Sequence, residues 1–299
     1  MNTRQIKEID RLAGQIKLGV IVESIDTVRC LQERLKNQVQ VWLDIDTGYH
    51  RTGMDWQASS EIIKVAQGVR ASEITHLAGL LVHPGHTYKA KTHAEVHTIH
   101  QETVERMNQI RDLLAANNIT GLAISTGCTP SCSMVEDLGN VDEIRPGNFV
   151  FYDVMQASIG ANRLSDVAVV VACPVVAKHP HLQQIVVYGG AVHLSKDRII
   201  DSKGRTCFGL LAKATATGWE AMDDTCYVKG LSQEHGLIHA DAHLLETVNV
   251  GDILLIFPIH SCLAANLLKR YHTLDGGVIT MAPIPNVQDP SLENDNINN

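Results

Sequence analysis

The residues best suited to chemistry stand near the C-terminus, where the chain reads Val250-Gly251-Asp252-Ile253-Leu254-Leu255-Ile256-Phe257-Pro258-Ile259-His260-Ser261-Cys262. A run of the kind that forms a buried strand enters a His-x-Cys pair. On an extended segment residues i and i+2 point to the same side, so the imidazole of His260 and the sulfur of Cys262 can converge on one ion. Nitrogen and thiolate donors together suit zinc better than magnesium or calcium. Two ligands do not close a structural site and no CxxC pair stands nearby. Water, substrate or another residue would complete the shell, as in a catalytic zinc site. The alternative is a core histidine beside a small buried thiol.

A second set of reactive side chains gathers where strand-like runs end. The runs are Leu18-Gly19-Val20-Ile21-Val22, Val39-Gln40-Val41-Trp42-Leu43, Leu77-Ala78-Gly79-Leu80-Leu81-Val82, Leu122-Ala123-Ile124 and Phe149-Val150-Phe151. Amphipathic stretches over 25–37, 59–67 and 93–117 alternate with them, which is βα grammar and predicts a parallel sheet. In barrels and open α/β sheets the reactive groups collect at the C-terminal ends of the strands. Those ends read Asp44-Ile45-Asp46-Thr47-Gly48-Tyr49-His50-Arg51-Thr52-Gly53, then His83-Pro84-Gly85-His86-Thr87-Tyr88, then Ser125-Thr126-Gly127-Cys128-Thr129-Pro130-Ser131. Glu143-Ile144-Arg145-Pro146-Gly147-Asn148 leads into the fifth run. The small hydroxyl residues and glycines of 125–131, with the free amides of Gly147 and Asn148, would make a nest for a phosphate dianion. An ordinary Ser, Thr and Gly turn is the alternative.

After about residue 165 the pattern changes to short strands without helices between them, over 166–176, 184–188, 207–212, 227–231 and 252–257. We therefore expect three regions: a barrel part over 1–160, a β-rich domain over 161–285 and a polar tail over 286–299. A chain of 299 residues with 44% hydrophobic content supports a sizeable core, and its net charge of -8 argues against a nucleic-acid partner. Apolar runs are too short to span a bilayer and no signal peptide is visible. Seven scattered cysteines fit reduced thiols, so a cytoplasmic location is expected. His93, His97 and His100 share a helical face that reads as wet surface more readily than as a metal site. Cys128 and Cys132 lack the second pair that a zinc knuckle needs.

Taken in order over about 15–283, these segments resemble the pyridoxal-phosphate barrel family that contains alanine racemase. The resemblance is nearest to its branch of D-serine dehydratases and D-threonine aldolases, which the His260-Ser261-Cys262 and Gln233-Glu234-His235-Gly236 segments also fit. It implies a coenzyme surrounded by Tyr88, Ser125, Thr126, Gly127 and Thr129, with His83 and Arg51 near its ring face as the catalytic candidates. Arg145 would lie against the pyridine nitrogen and keep it unprotonated, weakening the ring as an electron sink; a surface ion pair is the other reading. Cysteine at the second metal position favours the dehydratase side of the branch. Zinc would then act as a Lewis acid on the β-hydroxyl of a small D-amino acid, giving a keto acid and ammonia by β-elimination. Retro-aldol cleavage and an inactive remnant that binds a ligand or partner are the rivals.

The same resemblance calls for a coenzyme-binding lysine on a first strand, and no residue here matches that motif. About five of the eight strands of such a barrel are expected. Their unpaired edges would call for completion by an N-terminal segment or another chain, and a homodimer is implied.

Overall fold

Alternation along Val39–Asp46 organises the first half of the molecule. Val39, Val41, Leu43 and Ile45 are almost fully buried, while Gln40, Trp42, Asp44 and Asp46 between them are only partly covered. The period of two sends the first set into a layer of helices and the second to the opposite face. The computed structural model describes residues 3–281; the expected polar tail lies outside them.

The elements run α1 (Thr3–Ala13), β1 (Gly19–Val22), α2 (Ile25–Arg34), β2 (Val39–Asp46), β3 (Met54–Asp55), α3 (Ser59–Arg70), β4 (Thr75–Val82), α4 (His93–Ala116), β5 (Ala123–Thr126), α5 (Thr129–Met134), β6 (Glu143–Ile144) and α6 (Val154–Ile159). Strands β1, β2, β4, β5 and β6 lie side by side in that order, all parallel, with β3 beside the end of β2. The core between sheet and helices holds Val28 and Leu31 of α2, Ile62 and Val65 of α3, and Met107, Ile110 and Leu114 of α4. Among the described residues β1 and β6 have no outer neighbour, so the arc is an open part of a barrel. Ile21 on β1 is accordingly 53% exposed.

The fifth strand differs from the sequence expectation. Residues 149–151 do not extend; Asn148–Val150 is a 3-10 turn with Phe149 and Val150 half exposed. Two residues, Glu143 and Ile144, occupy the strand position beside Ser125 and Thr126. The Arg145 amide donates to the Thr126 carbonyl, and Pro146 has no N–H to carry the ladder onward.

The second half contains β7 (Val171–His179), β8 (Gln184–Tyr188), α7 (Ala191–Leu194), β9 (Ile199–Ile200), β10 (Thr206–Cys207), β11 (Gly209–Thr215), β12 (Gly218–Ala221), β13 (Tyr227–Leu231), β14 (His235–His239), α8 (Ala242–Thr247), β15 (Ile253–Pro258), α9 (Ser261–Leu268), β16 (Arg270–His272) and β17 (Val278–Thr280). Strands β11, β13, β14, β8, β7 and β15 pair in sequence and β15 returns to β11, so this sheet closes on itself. Closure leaves no edge among these six strands, and β12 pairs with β11 outside the ring. Val171, Cys173, Ile185, Val187, Leu211, Val228, Ile238 and Ile256 fill the interior. The first of these strands starts later than expected from 166, because Asp166 accepts the Arg163 amide at 2.8 Å and closes a turn. Strand β14 escaped the sequence reading: its Gly236 and flanking histidines carry little apolar signal, and only its two neighbours make it a strand.

Among the described residues no helix is long and apolar enough to cross a membrane. Leu43 is fully buried at the centre of the first core. Leu43→Ala is expected to lower unfolding free energy by about 2–5 kcal/mol, read as an earlier urea midpoint at unchanged m-value.

Candidate active site

The C-terminal ends of β2, β4 and β5 bring most of the expected residues together. After β2, Asp46 accepts the amides of Gly48 at 2.8 Å, Tyr49 at 2.9 Å and His50 at 3.0 Å. One carboxylate thus folds the loop. Its hydrogen bonds also hold Asp46 below the usual carboxylate range, against the opposing effect of burial, the largest single influence on it. Arg51 stacks on Tyr49, with the guanidinium carbon 5.2 Å from the ring centre, and Tyr49 meets His83 edge-on at 5.6 Å.

Arg145 is the central cation. Its Nε donates to Ser125 Oγ at 2.7 Å, and its terminal nitrogen to the Val82 carbonyl at 2.8 Å and the Ser125 carbonyl at 3.2 Å. The Ser125 hydroxyl donates to Glu143 at 2.5 Å, and Glu143 lies 3.6 Å from Arg145. Arg145 is therefore a built-in, half-buried group with its orientation set by three neighbours. The reading as a mere surface ion pair does not describe it. His83 Nδ1 lies 2.9 Å from the Gly127 carbonyl, so Nδ1 carries the proton and Nε2 keeps its lone pair. Burial first, then the charges of Arg51 and Arg145, push His83 below its ordinary value of 6.5. Asp44 on the same face is raised by burial and by Glu23, with Thr52, Arg51 and Arg145 opposing.

Gly127 is required by space. A Cβ there would come within 2.5 Å of the Arg145 backbone nitrogen and 2.8 Å of its carbonyl carbon. Ser125 and Thr126 alternate, and Thr126 falls on the side of the buried Ile124, where its hydroxyl has no partner. Tyr88 lies 6.3 Å from His83 between ring centres, and burial raises its phenol to about 12 despite hydrogen bonding with Thr129. It is a neutral donor at physiological pH. The nest expected from two free amides is corrected: the Asn148 amide donates to Thr129 Oγ1 at 3.0 Å, held there by the 3-10 turn. Gly147 is exposed with open space where a Cβ would stand.

The metal pair is also placed differently from expectation. Strand β15 ends at Pro258, His260 caps α9 and Cys262 lies in the first turn of α9. They are not neighbours along one extended strand. What relates them is a buried polar group: Asn148 Nδ2 donates to Asp153 at 2.7 Å, with Ser261 Oγ at 3.2 Å and Cys262 Sγ at 3.4 Å. His260 Nδ1 lies 3.2 Å from the same Asp153 oxygen, off the line of a well-formed hydrogen bond. Asp153 raises the His260 imidazole above its ordinary value while burial opposes it. Through Thr129 and Asn148, the Ser125 turn and the His260-Ser261-Cys262 segment are thus in contact. Among the described residues no group of three or more His, Cys, Asp and Glu side chains could hold a metal ion.

Asp153, Ser261 and the Asn148 side chain were missed as functional groups. Asp153 accepts the Gln156 amide at 2.8 Å and caps α6, so its D-x-x-Q spacing was a legible helix-start signal. The other histidines divide. His93 is exposed as expected, whereas His100 is 3% exposed with Nε2 on the Leu138 carbonyl at 3.1 Å. Cys128 is buried between the Thr87 and Ser131 hydroxyls. A concavity of about 680 Å³ opens at the other end of the sheet, by Gln40, Arg70, Thr75 and His76, away from this chemistry.

Residues 2–154, just over half of the chain, match the family described as alanine racemase, N-terminal domain. The chain belongs to this family. Residues 168–274 match a putative serine dehydratase domain. D-serine dehydratase of Dictyostelium discoideum is 26% identical over 280 residues, covering 87% of this chain and 68% of that protein. D-threo-3-hydroxyaspartate dehydratase of Delftia sp. (strain HT23) is 24% identical over 286 residues, covering 88% and 71%. An alanine-racemase-like protein from Idiomarina loihiensis superposes with a TM-score of 0.83 at 25% identity, over 94% of this chain and 75% of that one.

Two outcomes test this site. Gly127→Ala is expected to cost about 1–3 kcal/mol, read as a lower urea midpoint, because the clash is with backbone. His83, His86 and His100 all sit below their ordinary value of 6.5, chiefly through burial. The unfolded chain then binds more protons than the folded one between those lowered values and 6.5. Their contribution is complete above 6.5 and is lost as pH falls through the lowered values, so melting temperature should drop from pH 7 to pH 5. His260, raised by Asp153, works in the opposite sense, its contribution fading as pH rises past its folded value.

Proposed function

We propose that the chain is a pyridoxal-phosphate- and zinc-dependent lyase of the D-serine dehydratase type. It would remove the β-hydroxyl of a small D-hydroxyamino acid and yield a keto acid and ammonia. The observation that carries this reading is the contact, through Asn148, between the Thr129 end of the Ser125 turn and the segment bearing His260 and Cys262. The named activities of the two dehydratase relatives support it.

The residues fit both groups in part. The exposed Gly147, with open space beside it, and the Ser125–Thr129 turn would hold a phosphate, and Arg145, fixed by Ser125 and Val82, would meet the ring nitrogen. His260 and Cys262 supply one nitrogen and one sulfur donor, a set suited to zinc, and leave the rest of its shell to substrate and water. No lysine of the sequence is assigned the covalent bond to the coenzyme. When bound, the coenzyme supplies an electron sink and the zinc a Lewis acid for the departing hydroxyl.

The chain's own groups do the rest. Arg145 is a permanent cation that disfavours a proton beside it. Neutral His83 can accept a proton at Nε2, because its Nδ1 proton is committed to the Gly127 carbonyl. Tyr88 keeps its hydroxyl proton and serves as a donor. Arg51, on a loop held by Asp46, presents positive charge at the rim for an anionic substrate group. A homodimer is proposed as well, on the exposed Leu263 and Leu267 of α9 and the nearby Phe149 and Val150.

Incubation of the full chain with D-serine and D-threonine, coenzyme and zinc should release pyruvate and 2-oxobutanoate with ammonia. His260→Ala or Cys262→Ala should lower kcat/KM by at least about 100-fold. Glycine with acetaldehyde from D-threonine would assign retro-aldol chemistry instead, and no product with any substrate would leave a ligand-binding remnant.

A further inference from the structure

Asp153 is fully buried, yet it meets groups from a segment more than 100 residues away. One of its oxygens receives Asn148 Nδ2 at 2.7 Å and the Ser261 amide at 3.0 Å, and stands 3.2 Å from His260 Nδ1. Its other oxygen caps α6 through the Gln156 amide. Asn148 in turn offers two N–H groups to three acceptors, one of them Cys262 Sγ, while its own oxygen is buried without a partner. Burying a carboxylate costs several kcal/mol unless charge and hydrogen bonds compensate it, and the compensating groups here all belong to the Asn148 turn, α6 and the His260-Ser261-Cys262 segment.

We propose that Asp153 and Asn148 are positioning residues for His260 and Cys262, acting from the parallel-sheet side of the junction. This rests on the reading of His260 and Cys262 as zinc donors. Asp153 stands 3.2 Å from Nδ1 of His260 and so occupies that edge of the ring, which leaves the Nε2 edge for an ion. Asn148 places an N–H 3.4 Å from the Cys262 sulfur, a contact that fixes where the sulfur stands. A carboxylate behind a ligating imidazole fixes its ring rotation, and loss of such a partner commonly weakens metal affinity by about 10–100-fold. The same two residues join the Thr129 end of the Ser125 turn to α9, so they also set the distance between the two halves of the site.

The test is zinc affinity of the full chain, measured by competition with a chromogenic chelator, for wild type, Asp153→Asn, Asn148→Ala, His260→Ala and Cys262→Ala. The last two should abolish tight binding. Asp153→Asn and Asn148→Ala should weaken it by about 10–100-fold, with the metal-free proteins keeping the wild-type circular dichroism. In cobalt-substituted protein, Asn148→Ala should also diminish the thiolate-to-metal charge-transfer band. Loss of binding in His260→Ala and Cys262→Ala, with affinity within twofold of wild type in the other two, overturns this inference and leaves the metal reading standing. Equal affinity in all five proteins, or none in wild type, overturns both. Should the junction variants not fold, nitrogen NMR of metal-free wild type decides, at a pH where the ring is neutral. The His260 signal, identified by its loss in His260→Ala, should show the Nδ1-protonated tautomer, and the Nε2-protonated form overturns the proposal.

Discussion

One buried carboxylate ties this molecule together. Asp153 closes the parallel sheet's last helix, accepts the Asn148 side chain and meets the segment that follows the closed β-barrel. A charge fully removed from water persists only where donors surround it, so the approach of α9 to the Asn148 turn is a condition of burying Asp153 at all. The apolar contacts of Val154, Phe257 and Ile259 seal the same junction. Every candidate group of the site lies on one side or the other of it.

Arg145 plays a comparable part within the sheet. Its guanidinium spans the ends of β4 and β5, and the Ser125 hydroxyl relays it to Glu143 on β6. Gly127 permits this by leaving no atom where the Arg145 backbone passes. The polar face of the sheet is therefore pre-arranged before any ligand arrives, which lowers the cost of ordering side chains around one. His83 and Tyr88 share in that arrangement: both are desolvated, and burial disfavours the charged form of each.

The two halves of the chain solve the edge problem differently. The β-barrel closes by pairing β11 with β15, and its interior is apolar throughout. The parallel arc leaves β1 and β6 without outer neighbours among the described residues, and the inner face of β2 is correspondingly half covered. Its stability rests on the opposite face, where three helices cover Val41, Leu43, Leu80 and Ile124.

Much was legible in the sequence. Period-two burial in 39–46 and helical spacing in 93–117 locate β2 and α4 closely, and the polar residues at strand ends mark the rim where Arg51, His83, Ser125 and Arg145 converge. Local pattern carries this information because alternation and helical repeat are properties of neighbouring residues. What lay beyond it depended on distant partners. The expected strand at 149–151 is a turn because Pro146 ends the ladder, and β14 is a strand because β8 and β13 flank it. His100 is core because Leu138 offers it a carbonyl. The Asn148 amide is engaged because Thr129 reaches it, and His260 meets Asp153 while Cys262 meets the Asn148 side chain through tertiary contact, in place of an extended His-x-Cys strand. Residue types and their order determined which chemistry the chain could do; long-range hydrogen bonds to buried groups decided which side chains stand where they could do it.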